Sequence, residues 1–516
     1  MNRTTLSLIA AATALAAVTG FAVVSAPDGG GTTEAAADAR TPGRMPVERS
    51  SLLCPAPSAS DLAETAYTSF TPAGKGDADA KAGSAELVPT DATLAAPDEG
   101  GKDGKKDKKK DADEPGASKP VLSLKEPGKP VTAEANTAEA PALVGSADGR
   151  LAPGWSAQQT TKVTAGQGRG VLGVSCTAPD TSFWFPGAST ADERQDYVHL
   201  TNPDDTAAVA DIELYGKDGA IESDSGEGIT VPARSSVPVL LSTLSADSAE
   251  NVSVHVTTRT GRVGAVVQAV DEEAGSDWLA ASAEASGTAV LPGIPADATS
   301  VRLVVFAPGD DDADLKVRLA GPTGSITPAG HETLHVKAGM TTAVDLKDVT
   351  KGEAGSLLLS PAAQGRPTPV VAALRVVRGK GAAQEVAYIP ATGQVGERAT
   401  VADNRAKGSV LSLTAPGAAA EVKVTASAGS GGGEPVVKTY QVKAGTTLAV
   451  KPPVPSGLKG SYALTVEPQS GGPVHASRAL ELPEDGIPMF TVQTMPDDRG
   501  MVSVPEAEQD LSVLDD

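Results

Sequence analysis

The segment His331-Glu332-Thr333-Leu334-His335 has the residue types and spacing of a zinc-dependent hydrolase. In that chemistry two histidines four apart bind one zinc ion and the glutamate acts as general base. Both imidazoles must share one face of a helix. The neighbourhood predicts a strand instead. Gly330 precedes the segment, and Val336 leads into a Lys337-Ala338-Gly339 turn. Residues four apart on a strand are separated by roughly 13 Å, too far for two bonds to one metal ion. The match is read as fortuitous, and no catalytic residue, metal ligand or cofactor is expected.

Other groups that could do chemistry are scattered. His199, His255 and His475 fall in separate expected strands without ligand spacing, although His199 and His255 share one repeat unit and could meet in the fold. No Gly-x-Ser-x-Gly elbow and no Gly-x-x-x-x-Gly-Lys-[Ser/Thr] phosphate loop occurs. Asp204-Asp205 and Asp310-Asp311-Asp312, with Asp314, occupy matching turns. Clustered loop carboxylates can hold calcium, but solvated loop acids are the commoner case. Trp155, Trp184 and Trp278 are candidate ligand contacts. Exposed flat rings would make a carbohydrate platform, whereas buried rings fill cores. Trp184, in Phe183-Trp184-Phe185-Pro186-Gly187, is expected to fill an interdomain junction.

The elements that must position these groups are β-strands. From about residue 141 apolar and polar residues alternate, and Gly, Pro, Asn and Asp punctuate the chain every ten residues or so. An internal repeat organises the pattern. Val231-Pro232-Ala233-Arg234-Ser235-Ser236 recurs as Val336-Lys337-Ala338-Gly339-Met340-Thr341 and as Val442-Lys443-Ala444-Gly445-Thr446-Thr447. The alanines are 105 and 106 residues apart. Strand-like pieces keep the same beat, among them Val252–Val256, Ser356–Leu359 and Tyr462–Val466. A unit of this length with about seven short strands fits an immunoglobulin-like β-sandwich. The expected fold is all-β, with tandem sandwich modules in a row.

Composition narrows the function classes. The net charge of -22 repels nucleic acid, which is set aside as a partner. Aromatics are only 3%, which argues against a deep stacking groove. Residues 6–26 form an uncharged, mostly apolar run of 21 residues behind Arg3. That length spans a hydrocarbon core as a helix. Val24-Ser25-Ala26 is a small-residue cleavage site, but Pro27 directly after it is unfavourable. A retained transmembrane anchor and a cleaved signal peptide both stay open, the anchor being preferred. Either places the chain outside the cytoplasm.

Two cysteines in an exported chain, Cys54 and Cys176, favour one disulfide over two buried thiols. The expected organisation runs as an anchor or signal at 1–26 and a flexible stalk at 27–45. A first β domain follows at 46–176, interrupted by a lysine-rich, disordered insertion at 72–119. Three sandwich repeats at 177–292, 293–403 and 404–505 lead to an acidic tail at 506–516. The disulfide would tie together the two halves of the first domain.

Cys176-Thr177-Ala178-Pro179, the Phe183–Gly187 cluster, Leu200-Thr201-Asn202-Pro203-Asp204-Asp205-Thr206-Ala207, Val231-Pro232-Ala233 and Pro292-Gly293 together resemble a family of exported actinobacterial envelope proteins of unknown function. The likeness covers about residues 45–500. It implies a membrane-tethered, extracytoplasmic protein and supplies no catalytic residues. The expected function is a non-catalytic envelope scaffold or interaction protein, with an envelope protein or cell-wall glycan as partner. A carbohydrate-binding array is the alternative, and a zinc hydrolase a remote one.

Overall fold

The computed structural model describes residues 43–74, 82–93, 119–223 and 225–504. The expected anchor or signal at 6–26, residues 27–42 of the expected stalk, the lysine cluster and the acidic tail lie outside them. Residues 43–45, expected as flexible stalk, are instead strand, because they pair with Met501–Val504. No helix among the described residues is long and apolar enough to cross a membrane. The chain divides into a large unit, Pro46–Val502, and a small one made of Met1–Met45 and Ser503–Asp516. The described residues of the small unit belong to the strands Gly43–Pro46 and Met501–Val504, which pair with each other.

The large unit is built of β-strands, and among its described residues the regular helical turns are three short 3-10 segments. Alternation explains the strands. In Ala313–Ala320, Leu315, Val317 and Leu319 point inward while Asp314, Lys316 and Arg318 face out. Residues 46–176 contribute two four-stranded sheets, and each following segment of about 105 residues contributes two more.

In the repeats, the Val-x-Ala motif joins two strands. Ile229–Val231 leads to Ser235–Leu240, Thr333–Val336 to Thr341–Asp345, and Val436–Val442 to Thr446–Val450. The residue after each alanine is left-handed: Arg234 at φ 48°, Gly339 at 68° and Gly445 at 67°. Glycine meets that demand without a Cβ penalty in two copies; Arg234 meets it at a steric cost.

The modules do not form a row. Four edge strands, one from each module, close a circuit. Gly170–Ser175 packs on Gly275–Leu279, that strand on Glu385–Pro390, that on Phe490–Thr494, and that back on Gly170–Ser175. The apolar cores are continuous across these seams. Val386 and Tyr388 of the second repeat belong to the first repeat's core, and Phe490 and Val492 of the third belong to the second's. Burying each edge strand against a neighbour covers backbone that would otherwise template pairing with another chain.

The expected disordered insertion at 72–119 needs correction. Its residues 75–81 and 94–118 lie outside the described set, but Ala85–Pro89 is a strand of the first module's sheet, paired to Leu143–Asp148 and Leu122–Leu124. Ala85 and Leu87 are fully buried there. Ala92–Thr93 adds a parallel pairing to Ser235 and Ser236 of the first repeat. One alternating pair of apolar residues is enough to anchor a strand when a sheet is already waiting for it. Cys54 and Cys176 form the disulfide, closing a separation of 122 residues within the first module's core.

Candidate functional site

Three adjacent strands of one first-repeat sheet carry a line of chemically capable side chains. Ser182–Ala188 is the sheet's edge, Val252–Thr260 lies next to it, and Ala208–Gly216 follows. Trp184 stands opposite His255, and His255 stands opposite Glu213. Ser182 pairs with Thr257, one diagonal step from His255 on the same face. The register thus aligns Ser182, His255 and Glu213 across three strands.

The hydrogen bonds follow that line. Ser182 Oγ lies 3.1 Å from His255 Nε2. His255 Nδ1 lies 3.0 Å from Glu213 Oε2. Carboxylate oxygens only accept, so Nδ1 carries the proton and Nε2 is left to accept the Ser182 hydroxyl. The Tyr215 hydroxyl also donates to Glu213 Oε2, at 3.1 Å. The imidazole stacks on the Trp184 indole, with centroids 3.8 Å apart and planes 4° from parallel. Phe306 of the second repeat approaches the same indole at 5.0 Å, and Tyr215 at 5.9 Å.

Burial pushes the His255 pKa below its ordinary value, against the opposing pull of Glu213. The ring is therefore neutral at pH 7. The Tyr215 hydroxyl is pushed up to about 12 by burial and by Glu213. Ser182 itself is exposed. A neutral histidine held between a carboxylate and an accessible hydroxyl is the arrangement that activates a serine oxygen.

The sequence reading did not assemble this set. Its three members lie 31 and 42 residues apart on different strands, as Ser182 to Glu213 and Glu213 to His255. No linear motif marks them. The only available signal was strand register: a serine two positions before a tryptophan that faces a histidine. His199, expected as a possible neighbour of His255, has other partners. It meets Gln268 at 3.3 Å and the edge of Trp278 at 5.1 Å, and burial drives its pKa to about 4.

The remaining candidates disperse. His335 lies on the strand Thr333–Val336, where Leu334 and Val336 face the core and His335 faces out to Asp314 at 2.8 Å and Asp312 at 3.4 Å. Of the His-Glu-x-x-His segment, residues 333–335 are strand, while His331 and Glu332 lie in the preceding turn, where the His331 N–H donates to the Pro328 carbonyl; the segment is not a helix. A cleft of ≈ 140 Å³ is lined by Asp312 and Asp314 on one side and by Arg366 and Thr368 among others. Asp204 is tied to Arg262 at 3.0 Å, and Asp205 stands 3.8 Å from Arg234. Among the described residues no group of three or more His, Cys, Asp and Glu side chains is placed to hold a metal ion.

The three candidate ligand-contact tryptophans are not brought together. Trp155 is 5% exposed in the first module's core, its Nε1 donating to Ser69 Oγ at 2.8 Å. Trp278 is 2% exposed and packs with Leu172 and Val266. Large apolar rings repay burial more than exposure, and both found a seam to fill. Trp184 is half-buried against rings from both the first and second repeats.

A second polar cluster lies at the centre of the four-strand circuit. Asp277 accepts hydrogen bonds from the N–H groups of Gly173 and Trp278 and from the Thr491 hydroxyl. Glu385 Oε1 accepts the Val171 N–H at 3.1 Å. Arg169 donates to the Gln384 carbonyl nearby at 2.7 Å. Burial pushes the Asp277 carboxyl well above the ordinary range, with Glu385 adding to the effect. Burial pushes Glu385 to about 8, against the Val171 N–H and Arg169. With its pKa near 8, Glu385 is protonated at pH 7. The partners of the two acids join all four modules. Gly173 is required in this cluster, since a Cβ there would lie 1.9 Å from Gln493 Nε2.

No curated protein matches the chain. One family model matches residues 131–453, from the second half of the first module into the third repeat. That span is narrower than the residues 45–500 expected from the sequence. The chain belongs to the family of unknown function DUF5719.

Proposed function

We propose that this protein is an extracytoplasmic interaction scaffold of the bacterial envelope, built from immunoglobulin-like sandwiches and tethered through residues 6–26. The observation that carries this reading is the closed circuit of four edge strands. It locks four modules into one body, so their outward sheet faces keep fixed mutual positions, as a scaffold requires. The Cys54–Cys176 disulfide and the apolar run at 6–26 support an oxidising, exported location. The carbohydrate-binding alternative has lost two of its three rings to the cores. The proposed partner is an envelope protein.

The test is made in intact cells of the source organism. A bifunctional cross-linker that does not enter the cytoplasm is applied, and thiols are alkylated before and after reduction. The expected result is full-length chain in the envelope fraction, alkylated only after reduction, within an adduct of discrete mass. Recovery from the cytoplasm with free thiols, or no discrete adduct, would sink the reading.

A further inference from the structure

We propose that Ser182, His255 and Glu213 form a working nucleophile–base–acid set that hydrolyses carboxylic esters on the open face of the first repeat. This activity goes beyond the scaffold reading and does not depend on it.

Three observations support it. First, the two hydrogen bonds are in the range and order that activation needs, 3.1 Å from nucleophile to base and 3.0 Å from base to carboxylate. Second, the base is fixed. Trp184 holds the imidazole plane from one side, and the Glu213 acceptor selects the tautomer that leaves Nε2 free. Third, the strand edge supplies a donor for the oxyanion. The Thr258 N–H donates to the Thr181 carbonyl, so Thr181 bonds inward to the neighbouring strand. Backbone directions alternate, so the Ser182 N–H points to the sheet's outer edge. Trp184, two residues on, confirms the direction: its carbonyl accepts the Ser282 N–H from outside the sheet. The nucleophile's own N–H therefore lies beside the carbon that Oγ would attack, where an oxyanion develops.

The chemistry balances without a further reagent. Ser182 Oγ bonds to the ester carbonyl carbon as its proton passes to His255 Nε2. The carbon–alkoxide bond then breaks, and the leaving oxygen takes that proton and departs as an alcohol. Water attacks the acyl-serine, giving a proton to His255, and the carbon–Oγ bond breaks as the proton returns to Ser182. Ester and water become acid and alcohol. The substrate class follows from the site's shape. Ser182 stands exposed on a sheet edge with one backbone donor beside it, which suits a small acyl group on an accessible oxygen rather than an amide in an extended peptide.

The test uses the full chain, a fluorophosphonate probe and p-nitrophenyl acetate. The expected result is stoichiometric labelling, mapped to Ser182 by peptide mass spectrometry. Ester turnover should fall at least 100-fold in Ser182→Ala and in His255→Gln, and about 10-fold in Glu213→Gln. Ser223→Ala serves as the unchanged control. Failure of the folded wild-type chain to label at Ser182 overturns the proposal, whatever the variants do. So does labelling that survives His255→Gln at the wild-type rate.

Discussion

The His255 imidazole lies flat on the Trp184 indole, 3.8 Å between centroids, while its two nitrogens reach Ser182 and Glu213 in opposite directions. The ring is therefore held by packing as well as by hydrogen bonds, and its protonation is visible to a neighbouring fluorophore.

Protonating His255 should quench Trp184, because an imidazolium accepts an electron from an excited indole far better than a neutral ring does. A fluorescence titration of the folded chain should show a transition with its midpoint below 6.5, since burial lowers the pKa despite Glu213. His199 lies against Trp278 and titrates lower still, at about 4. His255→Gln should remove the upper transition and leave the lower one. A single transition above 6.5 would contradict the placement of His255.

Truncating Trp184 to Ala should cost about 3 kcal/mol in urea unfolding, from lost burial against His255, Tyr215 and Phe306. Trp184→Phe should cost less than half of that, since the Phe306 contact keeps an aromatic partner. Equal costs for the two variants would show that the ring does not bridge the repeats.

Stability should fall as pH rises from about 4.5 to about 8. Glu385 titrates near 8 when folded, and an unfolded glutamate titrates near 4.5. Between those values the folded chain binds the extra proton, so its contribution is complete below 4.5 and is lost through 8. At 1.36 kcal/mol per unit the loss is at most about 5 kcal/mol. Arg169 is the nearby cation that offsets part of it, and Asp277 acts in the same direction as Glu385. Glu385→Gln should flatten the profile of urea midpoints measured from pH 5 to 9. An unchanged slope in that variant would exclude Glu385 as its source.

Arg478 is fully buried and donates to Gln158 of the first module, with Asp403 as its counter-charge. Arg405 pairs with the same Asp403 at 2.9 Å, and Thr160 donates to it. Asp403→Ala should cost about 3–5 kcal/mol, because it strands a buried guanidinium. Combining it with Arg478→Met should recover more than half of that loss. Additive losses in the double variant would show that the two charges are not coupled.

The sequence made the all-β class legible because burial on one sheet face imposes period two, as in Leu315, Val317 and Leu319. The repeat was legible because the turn after Ala233, Ala338 and Ala444 demands a left-handed residue, and glycine met that demand twice. The disulfide was legible from the even cysteine count, with the compartment that the apolar run at residues 6–26 led us to expect. Ala85–Pro89 was not, because two buried residues inside a charged, low-complexity stretch carry almost no periodic signal. The Ser182–His255–Glu213 line was hidden for a different reason. Its geometry is created by register between strands, and a linear pattern does not record which residues face each other. The circuit of edge strands was equally hidden, since Asp277 and Glu385 read as ordinary acids until their neighbours are known.

That circuit also sets a timetable. Gly170–Ser175 is made early, yet its neighbour Phe490–Thr494 is made last, about 320 residues later. Each sandwich can pair its own strands as it emerges, but the ring stays open until the C-terminal repeat arrives. Long sequence separation makes such closure slow. A chain truncated before residue 490 should keep local β structure yet leave Thr491's partner Asp277 and the Gly173 strand uncovered. Closure of the circuit thus reports that the chain has been made through Thr494, and proteases can remove chains whose circuit stays open.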